Sequence, residues 1–148
     1  MMDLIEYCGN HSVEQILALD DVKERVELYF EHEETFKDQL RRCATVHKNL
    51  LVLDLRREEV IFVGNRFMPY ALFPETNISI HVLWGVGKQN TVFAIGKSIL
   101  NRSSKTNIGP LALKYGGGGH AAAGTCQVDN DMAAATLAEL VEKITADG

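Results

Sequence analysis

Four consecutive glycines followed by a histidine, Gly116, Gly117, Gly118, Gly119 and His120, are the residues of this sequence whose types and spacing best suit chemistry. Glycine costs backbone entropy wherever it is fixed, so such a run needs positive φ angles or a close approach to the backbone. Successive amide N–H groups in a turn converge on an anion, and a neighbouring imidazole adds a donor or a positive charge. We therefore predict a loop that contacts a phosphate-bearing ligand. A helix C-cap is the alternative, and it accounts for one or two of the glycines.

A second group of polar side chains lies at the end of a predicted strand, about one helix before the glycines. The planar guanidinium of Arg102 suits two phosphate oxygens, and the Ser98 hydroxyl and Asn101 amide suit phosphate or sugar. Each of them alone is equally typical of an ordinary surface. We predict that both segments line one edge of the sheet and bind substrate together.

No set of metal ligands or nucleophile–base pair is visible in the sequence. Asp129 and Asp131 flank a predicted helix start, where a carboxylate already has a capping role. His32 precedes two glutamates, but the second histidine of the H-E-x-x-H zinc motif is replaced by Phe36. We assign neither a metal site nor a catalytic residue to this chain.

Composition restricts the classes of ligand and compartment. The 148 residues carry a formal net charge of −5, which argues against a broad basic surface for long duplex nucleic acid but leaves small anions open. The three cysteines are odd in number and widely spaced, so we expect reduced thiols and a cytoplasmic location. The sequence shows neither a signal peptide pattern nor a membrane-spanning apolar run.

The elements that position these residues alternate irregularly between helix and strand, which predicts an α+β domain with a mixed sheet flanked by helices. We divide the chain into a helical connector, residues 1–48, and a substrate-binding domain, residues 49–148. The predicted helices cover residues 12–18, 20–45, 70–73, 107–115 and 131–145, and the predicted strands cover residues 49–55, 59–63, 78–83, 91–99 and 122–128. Ser12 and Gln15 predict a capping box at the first helix, and Asn107 and Asp131 are predicted N-caps of the last two. The turn at residues 85–90 predicts a hairpin of the two strands that flank it.

Residues 107–124, which end in Gly-Gly-Gly-Gly-His-Ala-Ala-Ala-Gly, resemble the signature of the DHHA1 domain. DHHA1 is the C-terminal domain of the DHH phosphoesterases, which include oligoribonucleases, phosphatases of 3′-phosphoadenosine 5′-phosphate, single-strand exonucleases and exopolyphosphatase-related proteins. The resemblance extends over about residues 50–148, with the preceding helices in the place of the family's interdomain connector.

This resemblance implies a division of labour between two domains. A DHH domain carries manganese on aspartates and histidines, and DHHA1 grips the substrate across a cleft. The Gly116–Gly119 amides, His120 and Arg102 would then hold the phosphate or terminal nucleotide of short RNA or DNA, of a nucleotide bisphosphate or of polyphosphate. This chain contains no Asp-His-His triplet, so catalysis is expected from a DHH domain supplied in cis or in trans.

Three functional hypotheses follow. The leading one makes the chain the substrate-binding part of a DHH-type phosphoesterase, with Met1 opening a piece of a longer protein or a truncated one. The second is a free-standing nucleotide-binding or regulatory module without catalysis of its own. The third is a structural module whose glycines serve packing and whose long helix supports a homodimer.

Overall fold

The computed structural model describes residues 2–148, with side chains from residue 4 onward. Its core is a six-stranded sheet with helices on both faces. The helices are α1 Met2–Asn10, α2 Val13–Leu17, α3 Asp20–Cys43, α4 Met68–Leu72, α5 Ile108–Leu113 and α6 Ala133–Asp147. The strands are β1 Ala44–His47, β2 Leu50–Asp54, β3 Ile78–Trp84, β4 Thr91–Lys97, β5 Gly118–His120 and β6 Ala123–Val128.

The sheet is mixed, which confirms the predicted α+β class. Its strand order is β1-β2-β3-β4-β6-β5, and the β2–β3 pair is parallel while its other pairs are antiparallel. The predicted hairpin is β3–β4, in which Ile80 lies opposite Ile95. Since the chain returns through the short turn after Trp84, this pairing is local and needs no long crossover.

The first face of the sheet carries the main hydrophobic core. Alternate residues of a strand point to opposite faces, and Ile80, Phe93 and Ile95 all point to this one. They pack with Ile108 of α5 and with Leu140 and Ile144 of α6. Burial of these side chains, at roughly 25 cal/mol per Å² of apolar surface, fixes α5 and α6 against the sheet.

The second face is covered only in part by the described helices. Over β2, Leu51 and Leu53 pack with Leu40 of α3 in a smaller cluster. Over β3, β4 and β6 the half of this face nearer α4 carries small and polar residues, while Leu83 and Val92 lie at its other end. Helix α4 reaches the face through the Tyr70 hydroxyl. This difference between the two faces leaves a groove on the sheet.

The prediction of a strand at residues 59–63 is wrong. Backbone groups of this segment hydrogen-bond to one side chain of helix α3 and not to a neighbouring strand. Gln39 of α3 is 1% exposed, and its Nε2 donates to the Val60 carbonyl at 2.7 Å. Its Oε1 accepts from the Phe62 amide at 3.1 Å. These are the bonds that a neighbouring strand would otherwise supply, so residues 55–67 form a loop held against α3.

Other boundaries also differ from the sequence prediction. The long helix ends at Cys43 rather than Thr45, and the next four residues form β1, an edge strand paired with β2. The final helix starts after Met132, so Asp131 is not its N-cap. Asn107 does occupy the N-cap of α5, although its side chain makes no capping hydrogen bond. Helix α1 and strand β5 were not predicted.

The N-terminal helices contribute little to the core. The predicted capping box is confirmed, because Ser12 Oγ accepts from the Gln15 amide and Gln15 Oε1 accepts from the Ser12 amide. Several large apolar side chains of this region are half exposed or more, including Ile5, Val13 and Phe30. None of the described helices is long and apolar enough to cross a membrane.

We expect Gln39→Ala to lower the free energy of unfolding by about 2 kcal/mol, because it removes the hydrogen bonds that the buried Gln39 side chain makes to the Val60 and Phe62 backbone groups. Urea unfolding measures this loss, and amide exchange at Phe62 should accelerate. The neighbouring exposed substitution Asp38→Ala is the control and should change stability by less than about 0.5 kcal/mol. Equal effects of the two substitutions would contradict the role given to Gln39.

Candidate functional site

The first half of the glycine run ends helix α5. Gly116 has φ 73°, in the left-handed region that glycine adopts without strain. Its amide donates to the Leu113 carbonyl at 3.1 Å, and the Gly117 amide donates to the Ala112 carbonyl at 3.0 Å. These two amides therefore satisfy helix carbonyls, as in a glycine C-cap, and do not point toward a ligand.

The second half of the run is strand β5, which pairs antiparallel with β6. Gly119 lies opposite Gly124, and His120 lies opposite Ala123. Gly119 has φ 153°, and a Cβ there would lie 2.3 Å from the Ala123 carbonyl oxygen. A side chain at this position would push the two strands apart. The glycines thus bring β5 close to β6 and fix where His120 projects.

His120 is exposed and presents one free ring nitrogen. Its Nδ1 accepts a hydrogen bond from the Ala122 amide at 3.2 Å. An accepting Nδ1 leaves the proton of the neutral imidazole on Nε2. The arrangement offers an N–H donor to an anion or to an ester oxygen.

The turn after β4 is built by its own polar side chains. Ser98 is 4% exposed, and its Oγ accepts from the Leu100 and Asn101 amides at 3.1 and 3.0 Å. Asn101 Oδ1 accepts from the Ser103 amide and hydroxyl at 3.2 and 2.7 Å. Both side chains therefore shape the turn that carries Arg102.

Arg102 is exposed on this turn, and its Nε donates to the Ile99 carbonyl at 3.1 Å. Its terminal amino groups have no hydrogen-bonding partner among the described residues. The turn and the glycine segment meet at one end of the sheet, because the Lys97 amide donates to the Ala122 carbonyl at 2.9 Å. His120 and Arg102 thus lie in the two segments that the structure brings together.

Beside this end, a cavity of about 440 Å³ runs over the second face of the sheet. We call it the sheet groove. Its walls are Arg66, Phe67 and Tyr70 on one side and His120 with Ala122 on the other, and its floor is formed by β3, β4 and the start of β6. His120 is the one predicted site residue that lines it; Ser98, Asn101, Arg102 and the four glycines do not.

Tyr70 joins the wall of the groove to its floor. Its hydroxyl donates to the Gly96 carbonyl at 2.6 Å and lies 2.8 Å from Ser79 Oγ. Burial raises the pKa of this hydroxyl, which keeps it protonated as a donor. The wall that carries Arg66 is thereby held at a fixed position over the strands.

His81 lies on the groove floor in β3, and its ring nitrogens form no hydrogen bond within the described part of the chain. Burial lowers the pKa of its imidazole, so the ring is neutral at neutral pH. The sequence alone assigns no site role to His81. The alternation of Ser79 and His81 with buried Ile78, Ile80 and Val82 was the available signal, but it does not show that the second face is open.

Two other aromatic or histidine positions have structural roles. The Tyr115 hydroxyl donates to Glu139 Oε2 at 2.7 Å, and burial together with this carboxylate raises the pKa of Tyr115 to about 12. Tyr115 lines a separate cavity between α5 and α6. His32 Nδ1 accepts from the Val63 amide at 3.3 Å and helps hold the loop to α3.

The described residues contain no cluster of three or more His, Cys, Asp or Glu side chains that could hold a metal ion. Asp129 and Asp131 are exposed in the turn before α6. The sheet groove is instead suited to binding by hydrogen bonds and positive charge.

Among known proteins, the chain is similar to proteins of solved structure. No family model and no curated protein matches the chain. The structure is similar to the pGpG-specific phosphodiesterase PggH from Vibrio cholerae, with a TM-score of 0.87 and 59% identity over 99% of this chain and 50% of that protein. It also resembles in fold an exopolyphosphatase-related protein from Bacteroides fragilis, with a TM-score of 0.55, 15% identity and 90% and 42% coverage. The chain spans about half the length of the first of these proteins and less than half the length of the second.

We expect Gly119→Ala to destabilise the protein by about 1–3 kcal/mol, because it forces a side chain into a strained φ and against the Ala123 carbonyl. Gly118→Ala is the matched control, since a Cβ there meets no atom within 4 Å, and it should change stability by about 0.5 kcal/mol or less. Thermal unfolding measures both. Equal tolerance of the two alanines would contradict the close β5–β6 approach.

Proposed function

We propose that this chain is the substrate-recognition half of a phosphodiesterase that acts on short nucleotides such as pGpG. The observation that carries the proposal is the 59% identity to a pGpG-specific phosphodiesterase across 99% of this chain. In this proposal the chain is a DHHA1 domain with its connector helices, and the remaining half of such an enzyme is a DHH domain.

The charge around the sheet groove supports a phosphate-bearing ligand. The protein as a whole has a net charge of −5, yet the described residues lining the groove include the Arg66 guanidinium and no carboxylate. Lys97 also lines the groove, but its Nζ is hydrogen-bonded to the Ser104 carbonyl at 3.0 Å. The cavity between α5 and α6, by contrast, is lined by three carboxylates and two lysines: Glu139, Glu142, Asp147, Lys114 and Lys143. A local excess of cations in a concave site attracts anions even when the overall charge is negative.

Within this proposal each predicted residue has a specific task. His120 donates Nε2–H to a phosphate oxygen, and Arg102 offers its free amino groups from the adjacent turn. Ser98 and Asn101 position that turn. The glycines position His120, since the amides of Gly116 and Gly117 are already bonded to helix carbonyls.

Hydrolysis is assigned to the other domain. The DHHA1 resemblance places manganese on a DHH domain, and the sequence of this chain lacks the Asp-His-His triplet. The residues described here do not form a manganese site, so we propose that they bind and orient the nucleotide. A DHH domain in cis or in trans would carry out the cleavage.

Titration of the ¹⁵N-labelled chain with pGpG tests the proposal. We expect saturable shifts at the backbone amides of Lys97, His120 and Thr125, and an affinity about tenfold weaker in His120→Ala, since a hydrogen bond to a charged group contributes about 1.5 kcal/mol. His47→Ala is the control because it removes a histidine from the opposite edge strand, and it should leave the affinity unchanged. The chain should release no GMP from pGpG.

Two results would contradict this assignment. Absence of saturable shifts at millimolar pGpG, or shifts confined to the α5–α6 cavity, would exclude the sheet groove as the nucleotide site. Manganese-dependent hydrolysis of pGpG by the pure chain would show that catalysis does not need a second domain.

A further inference from the structure

The floor of the sheet groove is made of unusually small residues for the centre of a sheet. Gly96 lies opposite Ala123 and Ser79, and Ala94 lies opposite Thr125 and His81. Interior strand positions usually carry β-branched or aromatic side chains that pack on their neighbours. Here Ala94, Gly96 and Ala123 leave a flat surface of backbone and methyl groups, bordered by Ser79, His81 and Thr125.

Packing within the protein does not require so small a residue at position 96 of this floor. A Cβ at Gly96 would meet nothing closer than the Tyr70 hydroxyl, at 3.9 Å, which is ordinary van der Waals contact. The backbone at Gly96 is that of a regular strand. The small residues therefore preserve free space above the sheet, and a planar ligand group fits such a space.

Arg66 stands at the rim of this space with its charge unpaired. Its guanidinium carbon lies 4.6 Å from the centre of the Phe67 ring, and it forms no ion pair with the described carboxylates. Stacking on an aromatic ring holds the planar guanidinium in one orientation. Two parallel N–H donors of this kind match two neighbouring acceptor atoms on a ligand.

His81 complements Arg66 from the floor. It lies beside Ala94 across the β3–β4 pair, and its ring lines the same groove as Arg66. A neutral imidazole provides one donor and one acceptor. An aromatic base placed on the floor would thus meet the His81 imidazole and the two parallel N–H donors of the Arg66 guanidinium.

We propose that the sheet groove is a guanine subsite, in which the purine lies on the Ala94, Gly96 and Ala123 floor and Arg66 donates to its O6 and N7 atoms. His81 contacts the ring from β3. Guanine presents two acceptors on this edge, whereas adenine presents a donor beside its N7. This inference rests on the proposed function and adds the base that the nucleotide site selects.

Calorimetric titration of the 148-residue chain with pGpG and with pApA tests the subsite. The wild type should bind pGpG at least about fivefold more tightly than pApA, the lower end of the discrimination that a forked arginine contact gives. Arg66→Gln should abolish or reverse that preference, because glutamine matches the N6 and N7 atoms of adenine. Arg57→Gln is the matched control; it removes an exposed arginine from the same loop, outside the groove.

Ala94→Val tests the floor without threatening the fold, since valine favours strands. We expect it to weaken the binding of pGpG and of pApA by at least about fivefold, while the amide spectrum remains that of a folded protein. His120→Ala should weaken both nucleotides in parallel, because it acts on the phosphate.

The outcomes separate the subsite from the proposed function. If the wild type binds pApA as tightly as pGpG, or if Arg66→Gln behaves as Arg57→Gln does, the guanine subsite is overturned while nucleotide recognition stands. Unchanged affinities in Ala94→Val would equally exclude the floor as the base site. Failure of the wild type to bind either nucleotide overturns both proposals.

Discussion

The register of β4 between β3 and β6 determines both the core and the groove. In the observed pairing Phe93 and Ile95 point toward α5 and α6, and Ala94 and Gly96 point to the opposite face. A slip of one residue would exchange these two sets. It would expose an aromatic and a β-branched side chain and fill the core with a methyl group and a hydrogen atom. The hydrophobic effect therefore fixes the groove floor indirectly, through the residues on its other side.

The groove combines this rigid floor with side chains held by short local bonds. Tyr70 ties its wall to β3 and β4 through Ser79 and Gly96. At the end of the sheet, the Ser98 hydroxyl holds one turn and the glycine segment places His120 beside it. Donors held in place before the ligand arrives lose little freedom on binding, which favours affinity.

The sequence predicted the features that depend on local pattern and missed those that depend on distant partners. Alternation identified β3 and β4, and the Ser12 and Gln15 pair identified the start of α2. Strand β1 has only four residues and is stabilised by β2, and the apolar segment at 59–63 takes its hydrogen bonds from Gln39, about twenty residues earlier. The glycine run shows the same limit: composition indicates close approach, but only the fold shows that Gly116 and Gly117 bond to α5. Arg66 carried no local signal, and the alternation around His81 did not show that its face of the sheet is open, because the loop and the strand meet only in the folded chain.

Gln39 also connects the long helix to the groove. The loop that leads to Arg66 is fastened to α3 by Gln39 and His32, and Gly64 lies directly under the Phe36 ring, where a Cβ would come within 2.0 Å of a ring carbon. The floor belongs to the sheet, and Tyr70 ties the rim to it through Ser79 and Gly96. Arg66 is thus anchored from two sides, by α3 through the loop and by the strands through Tyr70. The distance between its guanidinium and the floor is therefore set by helix packing as well as by strand pairing.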